Sequence, residues 1–142
     1  MHAKPYSSEG LCQEAPDSAM KYSDIVMDHF DHPRNAGEPE LWNVCAEADN
    51  PVCLDRLKLY LFVAGDGTIE TAGWQAEGCV PTLAAASFVS QWARGRNIKE
   101  VSSLTGEELI AHLGGLPATK KHAAYLAAEV AALCAAKFFT RQ

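Results

Sequence analysis

Two neighbouring stretches of the chain alternate apolar and polar residues, and most of the remainder repeats its apolar residues at helical spacing. Leu57, Leu59, Leu61 and Val63 alternate with Arg56, Lys58, Tyr60 and Phe62, and Ala72, Trp74 and Ala76 alternate with Thr71, Gly73 and Gln75. A period of two is the signature of strands. Between the runs stands Gly65-Asp66-Gly67-Thr68, and Asp-Gly flanked by alternation predicts a two-residue type I′ turn at Asp66 and Gly67. That turn sets Leu57 opposite Ala76, Leu59 opposite Trp74 and Leu61 opposite Ala72, apolar against apolar. A preceding segment, about residues 43–49, supplies a third strand.

Helices flank the hairpin. Ser23 is an N-cap with Asp24 in the first turn ahead of Ile25, Val26, Met27 and Phe30, and Pro33 limits this helix to a few turns. Pro81 suits a first helical position; Leu83, Ala86, Phe88, Val89 and Trp92 form an inner face, and Gly95 stops the helix. Thr105-Gly106-Glu107-Glu108 matches a capping box ahead of Leu109, Ile110 and Leu113, with Gly114-Gly115 ending that helix. Thr119 offers a cap for the last helix, whose stripe is Ala123, Leu126, Val130, Leu133 and Cys134. The expected fold is α+β: a small three-stranded antiparallel sheet packed with helices. Residues 1–21 read as a flexible N-terminal tail, and residues 22–142 as one domain.

Composition narrows the function. With 12 basic and 18 acidic residues the net charge is −6, and the basic residues are scattered, which argues against nucleic-acid binding. The most apolar stretch, Ala123 to Phe139, carries Glu129 and Lys137 and reads as a packed helix rather than a membrane span. The 5 cysteines, Cys12, Cys45, Cys53, Cys79 and Cys134, are irregularly spaced with no secretory segment ahead of them, so reduced thiols and a cytoplasmic location are expected.

Three short segments hold the candidate donors: Pro51-Val52-Cys53-Leu54-Asp55, Gly78-Cys79-Val80-Pro81 and Lys120-Lys121-His122. The hairpin register carries Cys79 to the open end beside Cys53 and Asp55. Pro51 and Pro81 should break the ladder there, leaving the direction of Cys79 open. Cys79 precedes one helix and His122 lies in the first turn of another, where the positive helix end favours thiolate and neutral imidazole, the metal-binding forms. Cys53, Asp55, Cys79 and His122 would make a four-donor site suited to zinc or iron. Singly, each has a plainer role: a small buried thiol, a capping carboxylate, a core histidine. Cys12, Cys45 and Cys134 are bystanders, and Tyr22, Trp74 and Trp92 read as packing groups.

Taken together, several motifs resemble the U-type iron–sulfur cluster assembly scaffold family (IscU-like, NifU N-terminal-like). They are Tyr22-Ser23 through Asp28-His29-Phe30, His32-Pro33-Arg34-Asn35, Asn50-Pro51-Val52-Cys53-Leu54-Asp55, Gly78-Cys79, Leu116-Pro117 and Lys120-Lys121-His122. The resemblance runs from Tyr22 to the C-terminus. It implies a scaffold that takes sulfur from a cysteine desulfurase and iron from an iron donor, holds a transient [2Fe–2S] cluster and passes it to apo-acceptor proteins. Cys53 and Cys79 match the first two family cysteines, Asp55 the aspartate that makes the cluster labile, His122 the histidine beside the third cysteine, and Lys120 a lysine near the site. Ala123 stands where that third cysteine is expected, and Leu54 where the family usually has glycine.

Loss of the third thiol leaves three readings of function. The first is a scaffold that binds iron or a [2Fe–2S] cluster through Cys53, Asp55, Cys79 and His122. The second is a zinc-bound protein that accepts persulfide sulfur. The third is a divergent regulatory paralogue that keeps the fold without a competent cluster site.

Overall fold

The structure, a computed structural model, describes residues 21–51 and 54–141, so Cys53 and all of the expected tail but Lys21 lie outside the described residues. The elements follow in the order α1 (Asp24–Asp31), β1 (Val44–Asn50), β2 (Asp55–Val63), β3 (Ile69–Glu77), α2 (Val80–Ala93), α3 (Ile98–Ser102), α4 (Gly106–His112), a 3₁₀ turn (Ala118–Lys120) and α5 (His122–Thr140). The strands form an antiparallel sheet in the order β1-β2-β3. Leu57 pairs with Ala76, Leu59 with Trp74 and Leu61 with Ala72, as the alternation predicts.

The hairpin loop differs from the expected one. The Ala64 N–H donates to Thr68 O and the Gly67 N–H to Ala64 O, both at 2.8 Å, which closes a three-residue loop of Gly65, Asp66 and Gly67. Only Gly67 of these has a positive φ, +93°, whereas a type I′ turn needs two such residues. The pairing shifts between Phe62 and Val63, leaving Glu70 as an extra residue on β3. This bulge restores the register that the longer loop would otherwise have changed.

The inner sheet face, with Val44 and Ala46 on β1, Leu57, Leu59 and Leu61 on β2, and Ile69, Ala72, Trp74 and Ala76 on β3, joins one core with α2 and α5. Helix α2 is buried almost all round, which explains its run of small residues at Ala84, Ala85 and Ala86. Phe88 and Trp92, expected on its inner face, are only partly buried. Helix α5 starts from Lys121, not Thr119, because Thr119 is taken into the preceding 3₁₀ turn. Leu133 is 39% exposed and lies off the buried stripe, which continues through Ala127, Ala131, Cys134 and Phe138. The 3₁₀ turn and α5 make a continuous run, Ala118–Thr140, long and apolar enough to cross a membrane by length and composition, longer than the apolar stretch alone indicated. Of its most apolar window, 56% is buried within the protein, as befits the helix against which β1, β2 and α2 pack.

Caps fix the helix starts. The Ser23 side chain accepts from the Val26 N–H at 3.0 Å, and the Ser23 hydroxyl donates to Leu113 O, tying α1 to the end of α4. Thr105 and Glu108 form the expected capping box. Asn97 and Glu100 form another at the start of α3, a helix of 5 residues that the apolar pattern does not reveal. Between α1 and α2 lies a polar network. Ser87 Oγ is 2.8 Å from His29 Nδ1 and accepts from the Arg34 N–H, while Arg34 O accepts from Trp74 Nε1–H and the Ser90 hydroxyl.

Candidate metal centre

The site forms where the sheet ladder ends. The pairing of β2 with β3 stops at Arg56 and Glu77, and Gly78 then turns the chain at φ +153° so that Cys79 becomes the N-cap of α2. The break expected from the flanking prolines thus aims the thiol at the open end of the sheet. Cys79 is 1% exposed and makes no side-chain cap hydrogen bond, leaving Sγ beside Thr82 Oγ1 at 3.5 Å. Asp55, the first residue of β2, is fully buried. His122, the first residue of α5, comes to the same place, with Nε2 2.8 Å from Asp55 Oδ2 and its side chain 20% exposed.

The carboxylate oxygen of Asp55, Sγ of Cys79 and a ring nitrogen of His122 all lie within 4.8 Å of one another. The edges of a tetrahedron built on bonds of about 2.0–2.3 Å measure about 3.3–3.8 Å, so closing on one ion requires movements of about 1 Å. Oxygen, sulfur and nitrogen donors of this kind fit zinc or iron rather than magnesium or calcium. Three of the four donors proposed from sequence are therefore brought together. The fourth, Cys53, lies outside the described residues.

The remaining expectations sort by position. Lys120 ends the 3₁₀ turn two residues before His122 and is 1% exposed, so its side chain belongs to the interior beside the site. Ala123, where a third thiol is expected, is fully buried at the second position of α5. Cys134 is buried against Leu59 O, and burial pushes its thiol up to about 12, an inert form. Cys45 is a strand residue of β1. Trp74 and the partly buried Tyr22 and Trp92 pack against the core.

Two site features were not singled out from the sequence, and a third, Leu54, was marked only as standing where the family usually has glycine. A Cβ on Gly78 would overlap Asp55 Oδ1 and come within 3.0 Å of its Cγ, so only glycine leaves room for the carboxylate. Thr82 contacts the thiol; its spacing of three from the N-cap was the available signal. Leu54 adopts φ +61°, a left-handed conformation in which glycine is at ease and leucine is strained.

Fold and site together define a class: a three-stranded antiparallel sheet backed by helices, with a carboxylate, a thiol and an imidazole gathered where the ladder ends and two helices begin. The model of the NifU-like N terminal domain matches residues 21–142, and the chain belongs to that family. It is 39% identical over 108 residues to iron-sulfur cluster assembly scaffold protein IscU 1 of Archaeoglobus fulgidus, covering 76% of this chain and 70% of that one. It is 33% identical over 111 residues to the iron-sulfur cluster assembly scaffold protein IscU of Escherichia coli (strain K12), covering 76% and 86% respectively. The fold superposes on a nitrogen-fixing NifU-like protein (N-terminal) from Brucella abortus with a TM-score of 0.69 at 11% identity, covering 84% of this chain and 95% of that one.

Proposed function

We propose that the chain is an iron–sulfur cluster assembly scaffold whose cargo, iron or a transient [2Fe–2S] cluster, is held by Cys53, Asp55, Cys79 and His122. The observation that carries the reading is the convergence of a carboxylate, a thiol and an imidazole within 4.8 Å in a chain of this family. Relatives named as scaffold proteins over most of their length support the same role.

The chemistry follows from the donors. Cys79 supplies a buried sulfur donor at the start of α2. His122 Nε2 stands 2.8 Å from Asp55 Oδ2, which sets the two donor atoms side by side for a shared ion. A site with Ala123 in place of a thiol binds its cargo with fewer sulfurs, which suits a carrier that must release it. The cargo comes from a cysteine desulfurase and an iron donor and goes to apo-acceptor proteins, in the cytoplasm, where thiols stay reduced.

The donor set also favours a second reading, in which zinc occupies one nitrogen, one oxygen and two sulfur donors and keeps a thiolate ready to accept persulfide. Incubation with desulfurase, cysteine and ferrous iron under nitrogen, with persulfide read first and dithiothreitol then added to reduce it to sulfide, followed by addition of an apo-ferredoxin, separates the two. The scaffold reading predicts a visible charge-transfer band on the chain that moves to the ferredoxin. Persulfide on the chain with no such band would overturn it in favour of the zinc form.

A further inference from the structure

Thr82 stands in the first turn of α2, three residues from Cys79, fully buried, with Oγ1 3.5 Å from Sγ. That separation is a hydrogen-bond distance for sulfur. A threonine in a helix commonly turns its hydroxyl back to a carbonyl of the preceding turn. Here the carbonyl of Cys79 already accepts the N–H groups of Thr82 at 3.0 Å and Leu83 at 3.3 Å. With a thiol, either partner can donate; a thiolate has no proton, so only the hydroxyl can. Thr82 Cβ and the Asp55 carboxyl also both crowd the same side of Gly78, which places the threonine beside the carboxylate as well as the thiol.

We propose that Thr82 is a positioning residue for this centre, its hydroxyl donating to the sulfur of Cys79 and holding it toward Asp55 and His122. The inference rests on the reading of Cys79 as a donor to metal. Hydrogen bonds to ligating atoms orient them and tune the metal they hold, and removing such a partner typically costs 10- to 100-fold in affinity. A hydrogen bond also lowers the energy of the sulfur lone pairs, so that losing it moves a sulfur-to-metal charge-transfer band to longer wavelength.

The test is anaerobic titration of the full chain with cobalt(II), reading affinity and the sulfur-to-cobalt band in the parent, Thr82→Val, Thr82→Ser and Cys79→Ala. Valine keeps the branched shape and removes the hydroxyl; serine restores the hydroxyl without the methyl group. The expected result is a loss of about tenfold in affinity with a red-shifted band in Thr82→Val, both reversed in Thr82→Ser. An unshifted band in Thr82→Val, whether or not affinity falls, overturns the proposal while Cys79 remains a donor. A band shared equally by parent and Cys79→Ala overturns the donor reading itself and this inference with it.

Discussion

His122 Nε2 lies 2.8 Å from Asp55 Oδ2, joining the first residue of α5 to the first residue of β2 at the end of the sheet ladder. Both groups are candidate donors, so in the metal-free protein each occupies a coordination position of the other. A bound metal ion must then take the place of this contact. Asp55→Asn and His122→Gln are each expected to lower zinc affinity by at least about tenfold. In the double variant the losses should add to less than their sum, because the groups act as one unit. Isothermal titration of the four proteins checks this; additive losses would show that the pair is not a unit.

Gly78→Ala should damage the same carboxylate from its other side. The new Cβ would overlap Asp55 Oδ1 at a backbone position, φ +153°, that disfavours side chains. A loss of about 1–3 kcal/mol in stability is expected, with weaker metal binding. Gly65→Ala is the control, since nothing lies within 4 Å of its Cβ; it should stay within about 0.5 kcal/mol of the parent. Urea unfolding of both variants, with a metal titration of the first, measures the difference.

Leu54→Gly should stabilise the chain. Leucine at φ +61° carries a left-handed penalty of about 1–2 kcal/mol, and glycine returns about 0.5–1 kcal/mol of that as unfolded-state entropy. The side chain is 59% exposed, so little packing is lost. A net gain of roughly 0.5 kcal/mol in urea unfolding is the expected outcome, and a loss would show that Leu54 makes an apolar contact worth more than the strain.

His29 makes stability depend on pH. Burial, and next the charge of Arg34, hold its imidazole below the ordinary value of 6.5, with the Asp28 carboxylate acting in the opposite sense. The neutral ring is therefore the form that suits the fold, beside Ser87 Oγ and against the ring of Phe88. Below about pH 6.5 the unfolded chain binds a proton that the folded chain resists, so stability is full above that pH and falls as pH drops toward the folded value. Unfolding midpoints at pH 7.5 and 5.5 should converge in His29→Gln relative to the parent. An equal pH slope in both proteins would remove His29 as the cause.

Much of this architecture is legible in the sequence because it is encoded locally. The alternation from Arg56 to Val63 and from Thr71 to Ala76 sets the sheet register, and the Ser23 and Thr105 caps set two helix starts. The loop is misread because Asp-Gly also serves a three-residue loop in which only Gly67 needs positive φ. Helix α3 has too few residues for an apolar period, although the Asn97 and Glu100 pair marks its start. Leu133 matches the three-and-four spacing of α5 yet faces outward, since a helix with so many alanines can bury several alternative stripes. At the site, Asp55, Cys79 and His122 are found by residue type and by their places beside the hairpin mouth and the helix starts. Gly78 and Thr82 are not, because their roles are space and contact between elements rather than spacing along the chain.

Ala123 is the position where this site departs most from the expected donor set, and it lies next to His122 in the first turn of α5. Ala123→Cys should lengthen cluster retention after reconstitution if the other donors are in place. Retention unchanged from the parent, in a variant that folds normally by circular dichroism, would favour a chain that keeps the fold without the cluster function.

The central claim, that Cys79 and its neighbours hold iron–sulfur cargo, is tested most directly by anaerobic reconstitution with ferrous iron and sulfide. Bound iron, bound sulfide and visible absorption are measured on the parent and on Cys79→Ala after gel filtration. The account predicts iron and sulfide in equal amounts with a charge-transfer band in the parent, and loss of all three in Cys79→Ala. A parent that elutes without iron or colour, or a Cys79→Ala variant that retains both, would contradict it.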